Sequence, residues 1–262
     1  MDKAGPDQLL RQLSAVDQEV HKSRTQPSSC DRPNFYWIFK DIEFERWQST
    51  HASGPEVLWL SGPAECRISD ASSRIVDLAK KTHSALYFFC STAPMNIPIA
   101  ITFACTIICQ LARCSPQLKK KVVMTFLHTL LDRIPGDEPH SNLGGSLFNA
   151  GDSAEAVAKK ILKASSSETY WGALRAAMDI EQEQGLSLII DGLEKTENQF
   201  IRELDRFIEH LRERPSTTKV LLTSRPQTAI GEIFGPLPCI EYDRERKGLA
   251  CFISYSPNIQ VS

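Results

Sequence analysis

Val57-Leu58-Trp59-Leu60-Ser61-Gly62-Pro63-Ala64-Glu65-Cys66-Arg67-Ile68-Ser69-Asp70 is the stretch on which the fold turns. The apolar run from Val57 to Leu60 predicts a buried strand. Gly62 follows as a turn. Ser69-Asp70 then opens an amphipathic segment with Ile75, Val76, Leu78 and Ala79 on one face, which predicts a helix. Strand, loop and helix form the frame in which a backbone loop cradles phosphate, and the pattern that marks it is G-x-x-x-x-G-K-[ST]. Laid on this chain, Gly62 is the first glycine and Ser69 the final hydroxyl. Arg67 stands where the second glycine belongs, and Ile68 where the lysine belongs.

Each replacement has a physical meaning. The second glycine lets the backbone approach phosphate and takes dihedrals that a side chain resists. Arg67 puts a long side chain there. The lysine is a point charge, whereas Ile68 brings neither charge nor donor. A hydrogen bond to a charged group is worth roughly 1.5–3 kcal/mol, so phosphate binding is expected to weaken. Arg67 can stand in for the lysine only by reaching around, because one helical position turns a side chain by about 100°.

The chain has 262 residues, 42% of them hydrophobic and 24% charged, which suits one large α/β domain or two small ones. A net charge of −2 supplies no global basic field, so neither nucleic acid nor a membrane is expected as a partner. Eight cysteines with a polar N-terminus, Met1-Asp2-Lys3-Ala4-Gly5-Pro6, suggest free thiols in a reducing cytoplasm. Cys105, Cys109 and Cys114 fit no zinc spacing and read as small buried apolar residues.

Residues 7–22 carry Leu9, Leu10, Leu13, Val16 and Val20 at helical spacing, and 23–33 read as a linker with two prolines. The helix is expected to pack on its own domain or to recruit a partner. Residues 34–50 are rich in aromatics, with Phe35, Tyr36, Trp37, Phe39, Phe44 and Trp47. The interleaved acids Asp41, Glu43 and Glu45 disfavour a nucleic-acid stacking surface, so a segment capping the sheet edge is expected. Ala85–Cys90 reads as a second, fully buried strand. The apolar stretch 97–112 is too short to span a membrane, which takes about 20 residues, and reads as a buried helix. Helices are expected over 117–134, 154–164 and 169–183, with loop between 135 and 155. Leu186–Glu194 reads as a third, apolar strand ending in acid, 197–213 as a helix, 218–226 as a fourth strand with a polar end, and 238–242 as a short fifth. Strands alternating with helices predict a mostly parallel sheet covered on both faces.

In such sheets ligands sit beyond the carboxyl ends of the strands. Three features fall there: Gly62 to Ser69, Asp191 with Glu194, and Thr223-Ser224-Arg225. An apolar strand ending in aspartate suits Mg²⁺ held jointly with the loop hydroxyl, here Asp191 with Ser69. Glu194 is placed to orient or deprotonate an attacking water. Arg225 suits a bidentate phosphate contact.

With these residues in view, the chain resembles the NACHT-type P-loop NTPases of fungi, and more narrowly the nephrocystin-3-like N-terminal module of fungal STAND proteins. The resemblance rests on FYWIFKDIEFERW, VLWLSG, ALYFFC, IICQLA, LIIDGLEK and VLLTSRPQ, in that order along residues 34–243. LIIDGLEK and LLTSRP are its most specific parts. It implies a three-layer P-loop NTPase-like α/β fold with five strands ordered 5-1-4-3-2, an ATP or GTP site with Mg²⁺, and nucleotide-driven self-association. Residues 1–33 would then be an N-terminal helix and linker, 34–243 the NACHT-like domain, and 244–262 the stub of a missing region. Winged-helix and repeat regions usual in such proteins are not seen in the sequence.

Three functions compete. The first is a pseudo-NTPase that hydrolyses little or nothing, with Mg-ATP or Mg-GTP held weakly or not at all, acting as a regulatory or interaction module. The second is an atypical ATP- or GTP-binding NTPase, with Arg67 or another base replacing the lysine. The third is a scaffold whose N-terminal helix recruits a partner, such as a full-length STAND protein or a second copy. The loss of the loop glycine and lysine favours the first. Gly62, Arg67, Ser69 and Arg225 are the expected nucleotide contacts, Ser69 and Asp191 the Mg²⁺ side, and Glu194 the candidate catalytic group.

Overall fold

The computed structural model describes residues 18–25, 37–49, 56–82, 84–93, 97–114, 119–132, 166–180, 185–213 and 218–241. The expected loop over 135–155, the expected helix over 154–164, residues 7–17 and the tail 244–262 lie outside the described residues.

The elements, in chain order, are α1 (Gln18–Thr25), α2 (Ile42–Gln48), β1 (Val57–Ser61), α3 (Ile68–Thr82), β2 (Ser84–Phe89), α4 (Ile99–Cys114), α5 (Lys119–Asp132), α6 (Ser167–Met178), β3 (Leu186–Asp191), α7 (Asn198–Arg212), β4 (Thr218–Ser224), α8 (Thr228–Phe234) and β5 (Cys239–Glu241). The five strands form one sheet in the order β2-β3-β4-β1-β5. Every pairing is parallel. Read from the other edge, the order is the expected 5-1-4-3-2, and the sheet is wholly rather than mostly parallel.

Alternate residues of each strand feed two cores, as the pleat requires. On one face Val57, Trp59, Leu86, Phe88, Leu188, Ile190, Val220 and Leu222 meet α4 to α8. On the other, Leu58, Leu60, Tyr87, Phe89, Ile189 and Leu221 meet α2 and α3. Both faces are dry, which is why the strands read as continuous apolar runs. Phe103 of α4 centres the first core, with the Phe88 and Trp171 rings each 5.3 Å away and Phe200 at 5.6 Å. These are the tilted and edge-on contacts that aromatic rings prefer. In α7, Phe200, Ile201, Leu204, Phe207, Ile208 and Leu211 are buried at helical spacing.

The aromatic lead-in lies on the second face rather than only along the edge. Phe44 and Trp47 of α2 are buried in that core. The Trp47 indole N–H donates to the Val220 carbonyl at 3.1 Å. Lys219 closes the end of α2 by donating to the carbonyls of Trp47 and Ser49.

The described part of the N-terminal helix packs on its own domain and runs to Thr25, three residues into the expected linker. Polar side chains of this part make docking contacts. Gln18 accepts the Phe89 N–H at 2.8 Å and donates to the Thr92 hydroxyl at 2.7 Å. Lys22 pairs with Asp77 at 2.6 Å, and Glu19 meets both Lys80 and the Tyr87 hydroxyl. Burial works to raise the Glu19 carboxyl, but the hydrogen bonds from Lys80, Tyr87 and Lys22 outweigh it and hold the group at about 2. Gln110 of α4 saturates the neighbouring residue of the edge strand, accepting the Tyr87 N–H at 2.7 Å and donating to its carbonyl at 2.9 Å. Glutamines from two helices therefore occupy backbone groups that an exposed edge would offer to another chain.

Candidate functional site

The carboxyl ends of β1, β3 and β4 converge because the register aligns them. Ser61 lies opposite Ser224, and Ile190 opposite Leu222. Gly62 donates its N–H to the Ser224 carbonyl at 3.2 Å. Gly192 donates to the Thr223 carbonyl at 3.1 Å. Gly192 is left-handed, with φ 81°, and so turns the chain sharply after Asp191. Beyond these ends lies a pocket of about 240 Å³, lined by the 62–70 loop, Gly192, Glu194, Lys195 and Thr223 to Arg225.

Asp191 is 2% exposed and lies at the base of this region. Its Oδ2 accepts from the Ser69 hydroxyl at 2.7 Å. Its Oδ1 accepts from Ser72 at 2.8 Å and from Thr223 at 2.7 Å. Three hydroxyl donors thus converge on one buried carboxylate. A hydroxyl that donates its proton keeps a lone pair for a cation. The Ser69–Asp191 pair therefore fits a divalent ion such as Mg²⁺ by its donor chemistry.

The loop above is built differently. Pro63 to Cys66 close a 3₁₀ turn, in which the Cys66 and Arg67 amides donate to the carbonyls of Pro63 and Ala64. Arg67 then adopts φ 51° and ψ 44°, and it is the one left-handed non-glycine among the described residues. The left-handed conformation costs a residue with a side chain roughly 1–2 kcal/mol. The glycine of the motif is missing, yet the backbone at its position still takes a conformation that glycine adopts freely. From there α3 starts at Ile68, one residue before the Ser69 expected from the sequence.

The charged side chains around the pocket are mostly paired. Arg67 Nε lies 2.5 Å from Asp70 Oδ2. Burial pushes the Asp70 carboxyl up, and Arg67 pulls it partly back. Glu194 turns to Arg225: its Oε2 accepts the Arg225 backbone N–H at 3.2 Å, and its Oε1 lies 3.7 Å from the guanidinium. Lys195 lines the pocket and, among the described residues, makes no ion pair. Ile68 is buried in the second core and gives the pocket no charge.

The structure thus brings Gly62, Arg67, Ser69, Glu194 and Arg225 around one pocket, with Asp191 bonded to Ser69 beneath it. The sequence reading missed Ser72, Lys195 and the partner role of Asp70. Ser72 follows Ser69 by three residues and so shares its helix face, a signal that was available. Lys195 sits immediately after the expected Glu194. Elsewhere, Cys105 and Cys109 are buried, as small apolar residues would be, whereas Cys114 is exposed. Burial pushes the Cys109 thiol up to about 12. Among the described residues no helix is long and apolar enough to cross a membrane.

Residues 34–149 match the family model described as Nephrocystin 3, N-terminal. The match takes in β1, the glycine loop, α3, β2, α4 and α5, and it ends before the strand that carries Asp191. This portion of the chain is therefore nephrocystin-3-like. No curated protein matches the chain.

Proposed function

We propose that the chain is a degenerate NACHT-like P-loop domain of the STAND kind, which hydrolyses nucleotide little or not at all and acts as a regulatory or interaction module. The observation that carries this reading is the asymmetry of the pocket. The Mg²⁺ side retains Ser69 bonded to a buried Asp191. The phosphate side offers an apolar Ile68 and an arginine already paired to Asp70. Mg-ATP or Mg-GTP would meet a fitting hydroxyl–carboxylate pair and no free loop cation. Its role would then be exercised through protein contacts, by self-association or with a full-length STAND protein, rather than through nucleic acid or a membrane.

A working but atypical NTPase is the second reading, favoured by Lys195. This cation lines the pocket from the loop after β3 and has no acidic partner among the described residues. Glu194 would then orient the water, although its carboxylate is turned to Arg225 in the present arrangement. Phosphate release from Mg-ATP and Mg-GTP separates the two readings. The first expects no turnover above buffer. Turnover that disappears in both Asp191→Asn and Lys195→Ala would establish the second.

A further inference from the structure

The pocket holds a charge pair that its phosphate-binding frame does not call for. Asp70 is the third residue of α3, and its side chain, 12% exposed, lies at the pocket wall. Its Oδ2 accepts no well-directed hydrogen bond, yet it lies 2.5 Å from Arg67 Nε. Arg67 holds that contact from a left-handed backbone. The amides of Ile68 and Ser69 have no backbone acceptor among the described residues. The positive end of a 15-residue helix therefore faces the same place. A carboxylate largely shielded from water needs a compensating cation, and Arg67 supplies it at 2.5 Å.

We propose that Asp70 is an internal substitute for a bound phosphate: its carboxylate takes the Arg67 guanidinium at the pocket wall, so that the site rests self-occupied and a polyphosphate binds only by displacing it. This rests on the reading of the pocket as a phosphate site and adds how that site is kept shut. It explains why an arginine is held in a strained conformation beside an acid in a loop that otherwise needs cations for its ligand. A domain built this way holds its loop folded without nucleotide, as a module acting through contacts requires.

The test is calorimetric titration of the full chain with inorganic tripolyphosphate, without added nucleotide. Asp70→Asn keeps the shape and removes the charge. It should bind tripolyphosphate about tenfold or more tighter than the wild type, because a charge-assisted contact is released to the ligand. Adding Arg67→Gln to Asp70→Asn should erase the gain. Should Asp70→Asn fail to fold, Asp70→Ser, which keeps a small polar group in the first turn, carries the same expectation. Equal affinity of the wild type and the folded variant, or a gain that survives Arg67→Gln, overturns the proposal. Nucleotide turnover by the wild type would instead sink the non-hydrolysing reading and leave this comparison standing.

Discussion

The two sides of the pocket have been treated differently. Beneath it, Asp191 sits with Ser69, Ser72 and Thr223 in a closed set of short hydrogen bonds from three elements. Above it, the loop makes a left-handed turn at Arg67 and carries a self-contained Arg67–Asp70 pair. The lower side is also part of the fold, since a buried carboxylate that ties α3, β3 and β4 together serves stability whether or not a ligand comes. On the upper side Arg67 is partly exposed, and its pair with Asp70 spans three residues and ties no distant element into the fold.

The largest effect should come from breaking the lower side. Asp191→Ala leaves the Ser69 and fully buried Thr223 hydroxyls without their acceptor and strips the shorter of two contacts from Ser72, which keeps the Ile68 carbonyl at 3.1 Å. Chemical denaturation should show a loss of about 3 kcal/mol or more, since each orphaned buried polar group costs roughly 1–3 kcal/mol. A loss below about 1 kcal/mol would mean that the set contributes little to the fold and that the contrast drawn above is mistaken.

Repairing the upper side comes next. Arg67→Gly with Ile68→Lys restores the motif glycine and its cation. Affinity for Mg-ATP or Mg-GTP should rise by roughly 1.5–3 kcal/mol, about tenfold to a hundredfold. Because Ile68 is buried in the core, the repair is expected to lower stability at the same time. No gain in affinity from a folded double variant would show that the loop has lost more than these two residues.

The two left-handed positions, one on each side, sharpen the comparison further. Gly192→Ala should destabilise by roughly 1–2 kcal/mol, because its φ of 81° suits only glycine well, although a Cβ would meet only the Lys195 chain, in ordinary contact at 3.8 Å. Arg67→Gly relieves the same kind of strain but also removes an ion pair whose arginine is partly exposed. The two oppose each other, so the net effect should lie within about 1 kcal/mol of zero. A loss on Arg67→Gly larger than that on Gly192→Ala would put the Arg67–Asp70 pair among the main supports of the fold.

The smallest effect concerns α1. Glu19 is held at about 2 against an ordinary 4.5. A depressed carboxyl stabilises above the unfolded value, and that contribution is lost as pH falls through the folded one. Contacts of α1 should therefore weaken between about 4.5 and 2, seen as faster amide exchange in Gln18–Thr25 before the sheet opens. The Glu19 side chain is half-exposed, so solvent screening keeps the effect small. Glu19→Gln should remove the pH dependence. An unchanged profile would assign the docking to Gln18 and Lys22 instead.

Much of the fold was legible because its strands are buried on both faces and its helices carry regular stripes. The apolar runs at 57–60, 186–190 and 220–222 found β1, β3 and β4. The rule that ligands sit beyond strand ends brought Gly62, Asp191 and Arg225 together before any coordinates. The site was less legible where conformation rather than residue type decides. A motif records that Arg67 is not glycine, but not that its backbone keeps φ at 51°. Nor does it show that Asp70, read only as the start of a helix, would neutralise that arginine. Ser72 was hidden because a serine inside a helix has many partners, and only the placement of β3 against α3 selects Asp191. The apolar stripe Leu9, Leu10, Leu13 and Val16 lies outside the described residues, and the polar contacts that Gln18, Glu19 and Lys22 make could not be read from it.

Titration of the wild-type chain with Mg-ATP and with Mg-GTP, alongside Asp191→Asn, tests the central claim most directly. The account predicts no measurable heat and no thermal stabilisation by either nucleotide. Saturable micromolar binding, about −8 kcal/mol, abolished by Asp191→Asn, would contradict it and show that the loop cradles phosphate without its lysine.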